Sequence, residues 1–340
     1  MNRREIVLAA LNHTSTEPIP YHIDFTAQAL KQLIETVKNP DIEENIGSFL
    51  HYAQYWGWPT EEADKPEHYR DEFGVVWNRS GVDKDIGVVD NPRIPSLENS
   101  GYTFPLPDIP RLRRDIENLL ETRKDKFSFM GFGFCMFERA WSLMGMENTL
   151  MAMIANPEEL EDLFDRICDF FLVLVDVALE YELDGIYFGD DWGQQQGLIM
   201  GPANWRKFIK PRMAKLYARV KNKGKFVIQH SCGDCHEIFR DLIDMGLDCY
   251  QTFQPEIYDI ADIKRKYGKH LSFWGGVSTQ QVLPRKKPKE VQEEIVRVIR
   301  ALRSDGGLII APTHALPFDV PVENILAMLE VFQNQERFIA

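Results

Sequence analysis

The sequence has few cysteines and no long apolar segment. Its 340 residues include five cysteines, an odd number scattered between positions 135 and 249. This does not suit a disulfide framework and favours a reducing, cytoplasmic setting. The stretch 170–179 is apolar, but it is interrupted by Asp176 and is too short to cross a bilayer. No strand-like segment is followed by a G-x-G-x-x-G or P-loop pattern, which disfavours a nucleotide-binding protein.

Positive charge is also scarce. The chain has 52 acidic and 39 basic residues, a net charge of −13, and no basic cluster. Nucleic acid and anionic membrane surfaces are therefore disfavoured as the main partner. An acidic surface also repels a polyanionic substrate unless positive side chains gather locally. We expect a small molecule as the substrate.

A repeated order of strand, turn and amphipathic helix begins near residue 126. Such alternation predicts parallel strands, because a short turn cannot return a parallel strand. With one earlier strand, seven strands of an expected eight are found, which favours a closed (β/α)8 TIM barrel over an open doubly wound sheet. The predicted strands are Pro20–Phe25, Lys126–Gly131, Gly185–Asp190, Lys225–His230, Leu247–Phe253, Leu271–Trp274 and Leu308–Ala311.

The whole chain, 1–340, is predicted to be one domain that begins with a helical extension. Residues of about 70–110 interrupt the regular pattern, and we interpret them as an insertion. Within it, Asp71–Trp77 and Gly87–Asp90 are predicted to pair as a hairpin across the turn Arg79–Asp85. A later helix, 202–223, is expected to bend at Pro211.

Polar side chains follow most of the predicted strands, where the active site of a barrel is built. The catalytic candidates are Asp190, Asp191, His230 and Cys232. The adjacent carboxylates of Asp190 and Asp191 suit a general acid or base, a metal ligand or a binding group for a polar substrate. Alternatively, one of them caps a turn and the other is solvated. Glu138 and Arg139 also suit an internal ion pair. The substrate-binding candidates are Asp24, Glu138, Arg139, Gln194, Gln254 and Trp274.

His230 and Cys232 form the most specific pattern. Two residues apart at the end of a strand, their side chains share a face, and imidazole with thiolate is a typical zinc pair. A third ligand is expected from another strand. His314 is our first choice, and Cys235 and the carboxylates of Asp190 and Asp191 are competitors. The alternative is that these cysteines are packed as small apolar side chains.

Several motifs together resemble one family, the uroporphyrinogen decarboxylase superfamily, over residues of about 1–335. The similarity is greatest to its branch of cobalamin-dependent methyltransferases. The resemblance implies a zinc site at His230, Cys232 and His314, a small methyl donor or acceptor, and cobalamin carried by a partner corrinoid protein. The motifs are FERAWSLMG at Phe137–Gly145, FGDDWGQQ at Phe188–Gln195, HSCGD at His230–Asp234, FWGG at Phe273–Gly276, Thr279-Gln280, Leu283-Pro284, and APTH with DVPVEN within Ala311–Asn324.

Two departures from the family pattern bear on function. True uroporphyrinogen decarboxylases carry an arginine-rich segment after the first strand, whereas Pro18–Leu30 contains no arginine. His314 stands where the methyltransferases have a late cysteine. The alternatives are a metal-free decarboxylase of a tetrapyrrole or other carboxylic acid, and a non-catalytic partner of a corrinoid protein. The oligomeric state stays open, with a homodimer as one option.

Overall fold

The computed structural model describes residues 1–81, 86–97 and 101–339. The strands are β1 (Leu50–Tyr55), β2 (Thr60–Glu62), β3 (Lys65–Arg70), β4 (Val76–Asn78), β5 (Val88–Val89), β6 (Phe127–Phe132), β7 (Gly185–Gly189), β8 (Gly193–Gln194), β9 (Gly197–Leu198), β10 (Phe226–His230), β11 (Cys249–Phe253), β12 (Ser272–Val277) and β13 (Leu308–Pro312). The α-helices are α1 (Arg3–Leu11), α2 (Ala27–Val37), α3 (Ile42–Asn45), α4 (Ile109–Thr122), α5 (Phe137–Met144), α6 (Met146–Ala155), α7 (Pro157–Ala178), α8 (Gly201–Asn204), α9 (Lys210–Lys221), α10 (Phe239–Met245), α11 (Ile260–Tyr267), α12 (Pro288–Leu302), α13 (Val322–Gln333) and α14 (Gln335–Ile339). A π-helical turn covers Trp205–Ile209 and a 3-10 turn covers His236–Ile238.

Seven parallel strands form the main sheet in chain order, β1-β6-β7-β10-β11-β12-β13. The segment 20–25 lies between the two edge strands and closes the ring. Tyr21 forms a parallel bridge with Ile310 of β13, and its carbonyl oxygen accepts a hydrogen bond of 3.0 Å from the backbone NH of Phe49, just before β1. The fold is therefore a TIM barrel, as predicted. The predicted strand 20–25 is present only as isolated bridges, and β1 is the strand that sequence reasoning missed.

The predicted helix 202–223 is interrupted before Pro211. A π-helical turn, Trp205–Ile209, separates α8 from α9. Pro211 has no NH to donate to the carbonyl of Lys207, so the regular hydrogen-bond ladder cannot continue there. The guanidinium of Arg212 donates to that carbonyl instead, at 3.4 Å. The expected bend thus takes the form of a wider turn next to the proline.

The inserted sheet begins at Thr60, before the predicted insertion of about 70–110, and has four antiparallel strands in the order β2-β3-β4-β5. The predicted hairpin is present, with Trp77 of β4 paired to Val89 of β5. Two further strands, β2 and β3, extend it. The predicted turn Arg79–Asp85 includes residues 82–85, which lie outside the described residues.

One buried hydrophobic cluster joins the barrel, its helices and the inserted sheet. Helix α7 contributes its predicted apolar stripe, and the inserted sheet contributes Trp77. No helix of the described residues combines the length and the apolarity that crossing a bilayer requires.

Candidate functional site

Two histidines and a cysteine meet at the carboxyl ends of the barrel strands. His230 is the last residue of β10, Cys232 follows it by two positions, and His314 lies two positions beyond β13. Their ligand atoms all lie within 4.8 Å of one another. The Nε2 of His230 is 3.6 Å from the Sγ of Cys232, and the centroids of the two imidazole rings are 6.0 Å apart. The structure thus brings together the three residues that the sequence selected.

The separation of two members of this group matches a zinc site. In a tetrahedral zinc site, bond lengths of about 2.05 Å to nitrogen and about 2.3 Å to sulfur place the two ligand atoms about 3.6 Å apart. That is the separation between His230 Nε2 and Cys232 Sγ. The Nδ1 of His230 contacts the side-chain oxygen of Gln251, so Nδ1 carries the proton and Nε2 is left for a metal. Since Nε2 also lies 3.3 Å from Asp191, it carries a proton in the metal-free protein that a metal ion would replace.

Cys235, a competing ligand in the sequence analysis, lies outside this group. Its side chain is fully buried, and its Sγ is 3.3 Å from the hydroxyl of Ser231. Burial raises the pKa of the Cys235 thiol to about 12. The group of three described residues that the structure assembles contains Cys232 instead.

Asp190 caps the N-terminus of helix α5. Its carboxylate accepts backbone hydrogen bonds from Met136 at 3.2 Å, Phe137 at 2.9 Å and Glu138 at 2.8 Å, at the start of α5, and another from the indole of Trp192 at 2.5 Å. A carboxylate suits this position because the NH groups of a helix N-terminus point toward it. Burial raises the pKa of Asp190 to about 6, against the effect of these hydrogen bonds. The contacts give Asp190 a positioning role, and a catalytic role stays a prediction.

Asp191 and Glu138 have opposite electrostatic environments. Asp191 accepts a hydrogen bond of 2.7 Å from the backbone NH of Cys232, and a third of its side chain is exposed. Burial raises the pKa of Asp191, but the hydrogen bond with His230 and its charge outweigh this and hold the pKa below its ordinary value. Burial, then the charges of Asp191 and Asp190, raise the pKa of Glu138 well above its ordinary value. The pKa values of the two carboxyl groups are thus shifted in opposite directions, the arrangement that separates a base or ligand from an acid.

Asp24 is paired with the chain just after His314. Its carbonyl oxygen accepts a hydrogen bond of 2.8 Å from the NH of Leu316, two residues after His314. Its Oδ1 accepts from the hydroxyl of Tyr52 at 2.6 Å and lies 2.9 Å from Nε2 of His22. The predicted substrate-binding residue Asp24 is thus beside the three candidate ligands and is firmly held.

Arg139 does not reach the site, and its predicted ion pair with Glu138 is wrong. Its guanidinium contacts Asp71 of the insertion at 2.6 Å, and both side chains are fully buried. It also lies 4.0 Å from the centre of the Phe73 ring. Through these two contacts, Arg139 of α5 ties the inserted sheet region to the barrel.

The remaining predicted substrate-binding residues lie in three different surroundings. Gln194 is exposed on the β8–β9 hairpin, and its carbonyl accepts from the NH of Asp234 at 2.7 Å. Gln254 is buried, and its side chain accepts from the NH of Gly233 at 3.1 Å, which fixes the loop that carries Cys232. Trp274 is buried inside the barrel and packs against His22 and other rings.

Sequence reasoning did not select Gln251, the partner of His230. The register of β10 and β11 places the two residues opposite each other. The Gln251 side-chain oxygen also accepts from the hydroxyl of Tyr187 at 3.3 Å. The sequence did contain a signal for it, since Gln251 is a polar residue within the buried strand Cys249–Phe253.

Comparisons with known proteins identify the family. Residues 88–335 match the family described as uroporphyrinogen decarboxylase (URO-D). The uroporphyrinogen decarboxylases of Bacillus thuringiensis (strain Al Hakam) and Bacillus cereus (strain B4264) are each 27% identical over 181 residues, 49% of this chain and 50% of theirs. The chain thus spans about half the length of the curated relatives it matches. A methyltransferase from Methanosarcina mazei shares the fold, with a TM-score of 0.74, 19% identity and 99% of each chain covered. The chain belongs to the uroporphyrinogen decarboxylase family, as the resemblance of its motifs implied.

Proposed function

We propose that the protein is a methyltransferase that moves a methyl group between a small substrate and a corrinoid carried by a partner protein. In this proposal, zinc is held by His230, Cys232 and His314. The observation that carries it is the group of two imidazoles and one thiol within 4.8 Å of one another at the barrel mouth. Bound there, zinc would act as a Lewis acid toward a sulfur, oxygen or nitrogen atom of the substrate.

The other residues of the site have roles that follow from their contacts. Gln251 fixes the ring of His230 through Nδ1. Asp191 holds the backbone of Cys232 and the ring of His230, so it positions two of the three candidate ligands. Burial and its carboxylate neighbours raise the pKa of Glu138, and we assign it the transfer of a proton to a leaving heteroatom. This assigns the acid to Glu138 and leaves Asp191 ionised.

Decarboxylation of a porphyrinogen is the second candidate, because the curated relatives carry that name. A substrate with many carboxylates needs positive side chains around it. The site instead presents the carboxyl groups of Asp24, Glu138 and Asp191. Among the described residues, no ion pair joins any of these three to a lysine or arginine. The charge of the site therefore favours the methyltransferase.

Metal analysis of the purified protein tests the proposal. We expect about one zinc ion per chain in the wild type, and loss of zinc in His230→Ala, Cys232→Ala and His314→Ala, because each removes one of three ligands. The matched control is His236→Ala, since His236 is a half-exposed histidine of the same loop that pairs with Asp234.

Activity is measured as methyl transfer to or from a corrinoid, followed by its visible spectrum. The three ligand variants should be inactive and His236→Ala should keep wild-type activity. Full methyl transfer by metal-free protein would contradict the zinc site. Decarboxylation of a tetrapyrrole without metal, with no methyl transfer, would establish the second candidate instead.

A further inference from the structure

Asp24 occupies a defined place next to the candidate metal ligands. The segment 20–25 runs between β13 and β1, and Phe25 forms a parallel bridge with Leu316. His314 lies two residues before Leu316, in the segment that follows the neighbouring strand β13. The carboxyl ends of these strands meet at one face of the barrel, so Asp24 and His314 face the same mouth. A substrate with one end at the three candidate ligands would thus have its other end on the side of the segment 20–25.

The carboxylate of Asp24 is held on one side and open on the other. Both of its described side-chain hydrogen bonds, from Tyr52 at 2.6 Å and from His22 at 2.9 Å, end on Oδ1. Among the described contacts, none reaches Oδ2, and 36% of the side chain is exposed. Tyr52 comes from β1 and His22 from the same segment as Asp24, so the two donors fix its orientation. The free oxygen is thus a preorganised acceptor.

This carboxylate carries its charge at neutral pH. Burial raises the pKa of Asp24, but the charge and hydrogen bond of His22 and the hydroxyl of Tyr52 outweigh it and leave the pKa below its ordinary value. Among the described residues, the basic partner of Asp24 is a histidine and not a lysine or arginine. The mouth beside Asp24 therefore favours a cationic group.

We propose that the substrate carries a protonated amino group, which Asp24 binds while the reacting heteroatom of the substrate faces His230, Cys232 and His314. This inference rests on the proposed function and names the chemical class of the substrate, a small molecule with an ammonium group at one end and a thiol, thioether or methoxy group at the other. An ammonium group forms charge-assisted hydrogen bonds with a carboxylate. A substrate with a carboxylate at that end would be repelled by Asp24.

Three thiols of similar size test the charge of the binding end. Cysteamine carries an ammonium group, 2-mercaptoethanol a neutral hydroxyl and mercaptoacetate a carboxylate. Binding of each to the zinc-loaded protein is measured by isothermal titration calorimetry, with wild type and Asp24→Asn. For each thiol, the ratio of the two Kd values cancels its intrinsic affinity for zinc. The substitution removes the charge of Asp24 and keeps an oxygen that accepts from Tyr52.

We expect Asp24→Asn to raise the Kd of cysteamine roughly tenfold and to change that of 2-mercaptoethanol by less than about twofold. The Kd of mercaptoacetate should fall. Asp319→Asn is the matched control, since Asp319 is an exposed residue of the loop after β13, and it should leave all three values unchanged. Tyr52→Phe, which removes one of the two donors to Asp24, should weaken cysteamine alone, by roughly threefold.

The outcomes separate this inference from the proposed function. Thiols that bind the wild type but show the same Kd ratio for all three overturn the ammonium site and leave the methyltransferase intact. If no thiol binds the zinc-loaded protein, zinc there has no open position for a substrate heteroatom; this contradicts the zinc-assisted step of the proposed function, and the inference with it. Melting temperatures of the variants within a few degrees of the wild type show that the Kd changes come from the site.

Discussion

Replacement of Gln251 by leucine should weaken zinc binding without removing a zinc ligand. The side-chain oxygen of Gln251 accepts from Nδ1 of His230, and the residue is 8% exposed. Leucine has a similar size and no acceptor. The Nδ1–H of His230 would then be buried without a partner, and the ring would lose the contact that fixes its orientation and leaves Nε2 free for the metal.

The size of the effect follows from these contacts. A buried donor that loses its acceptor costs about 1–3 kcal/mol. Loss of an outer partner of a metal-binding histidine lowers metal affinity by roughly 10–100-fold, which corresponds to about 1.4–2.7 kcal/mol. We therefore expect the zinc Kd of Gln251→Leu to rise within that range. Gln251→Glu keeps an acceptor at the same position and increases the basicity of the imidazole, so its affinity should equal or exceed that of the wild type.

Competition with a fluorescent zinc chelator measures the three affinities. Gln292→Leu is the control, because Gln292 donates to Glu330 at 2.8 Å between α12 and α13, away from the barrel mouth. A zinc Kd for Gln251→Leu within about twofold of the wild type would refute the assigned role of Gln251. An equal loss of zinc affinity in the leucine and glutamate variants would also refute it, since the loss would then come from changed packing and not from the missing acceptor.

Three further outcomes follow from the described contacts. Gly233→Ala should disrupt the loop that carries Cys232 and abolish zinc binding, because a Cβ at this position overlaps the backbone of the β8–β9 hairpin. Gly224 has a similar φ but open space around it. Gly224→Ala should therefore lower the free energy of unfolding by only about 1–2 kcal/mol, measured by denaturant unfolding. Asp71→Asn leaves the fully buried Arg139 without its counter-charge and should lower the free energy of unfolding by about 3–5 kcal/mol. Burial raises the pKa of Glu72 to about 7, so its contribution to stability is greatest below its unfolded-state pKa of about 4.3 and is lost as the pH rises through 7. In Glu72→Gln, the free energy of unfolding should fall less between acidic and neutral pH than in the wild type, measured by urea unfolding. The difference should be on the order of 1 kcal/mol, since Glu72 is partly exposed.

The barrel could be predicted from residue 126 onward because each later strand is an apolar run followed by a helix. Buried parallel strands usually have this composition. Strand β1, LHYAQY, does not, since only its first and last residues are fully buried. Its histidine, tyrosine and glutamine resemble a loop in the sequence. The segment 20–25 was recognised although it makes few bridges, because Tyr21, Ile23 and Phe25 alternate with polar residues as in a strand.

The candidate ligands could be predicted because a local rule fixes them. His230 and Cys232 share a face by alternation, and the exit of the last barrel strand carries His314. The contacts of Asp190 and Arg139 depend on packing between distant segments. Asp190 accepts from an NH group 52 residues earlier, and Arg139 pairs with a residue 68 positions away. No local pattern encodes such partners, so the sequence assigned Arg139 to the site and did not anticipate that Asp190 caps α5.

A histidine at position 314, where the methyltransferases have a cysteine, would make the candidate metal site more positive by one charge. A zinc ion with two neutral imidazoles and one thiolate keeps one net positive charge, whereas a second thiolate would neutralise it. The charges of Asp191 and Asp24 both act on His314. With zinc bound as proposed, the thiolate and the two carboxylates would exceed the two charges of zinc by one. A polycarboxylate substrate would add to this excess, whereas an ammonium group would cancel it. The same carboxylates that disfavour porphyrinogen decarboxylation thus favour a substrate with a cationic end.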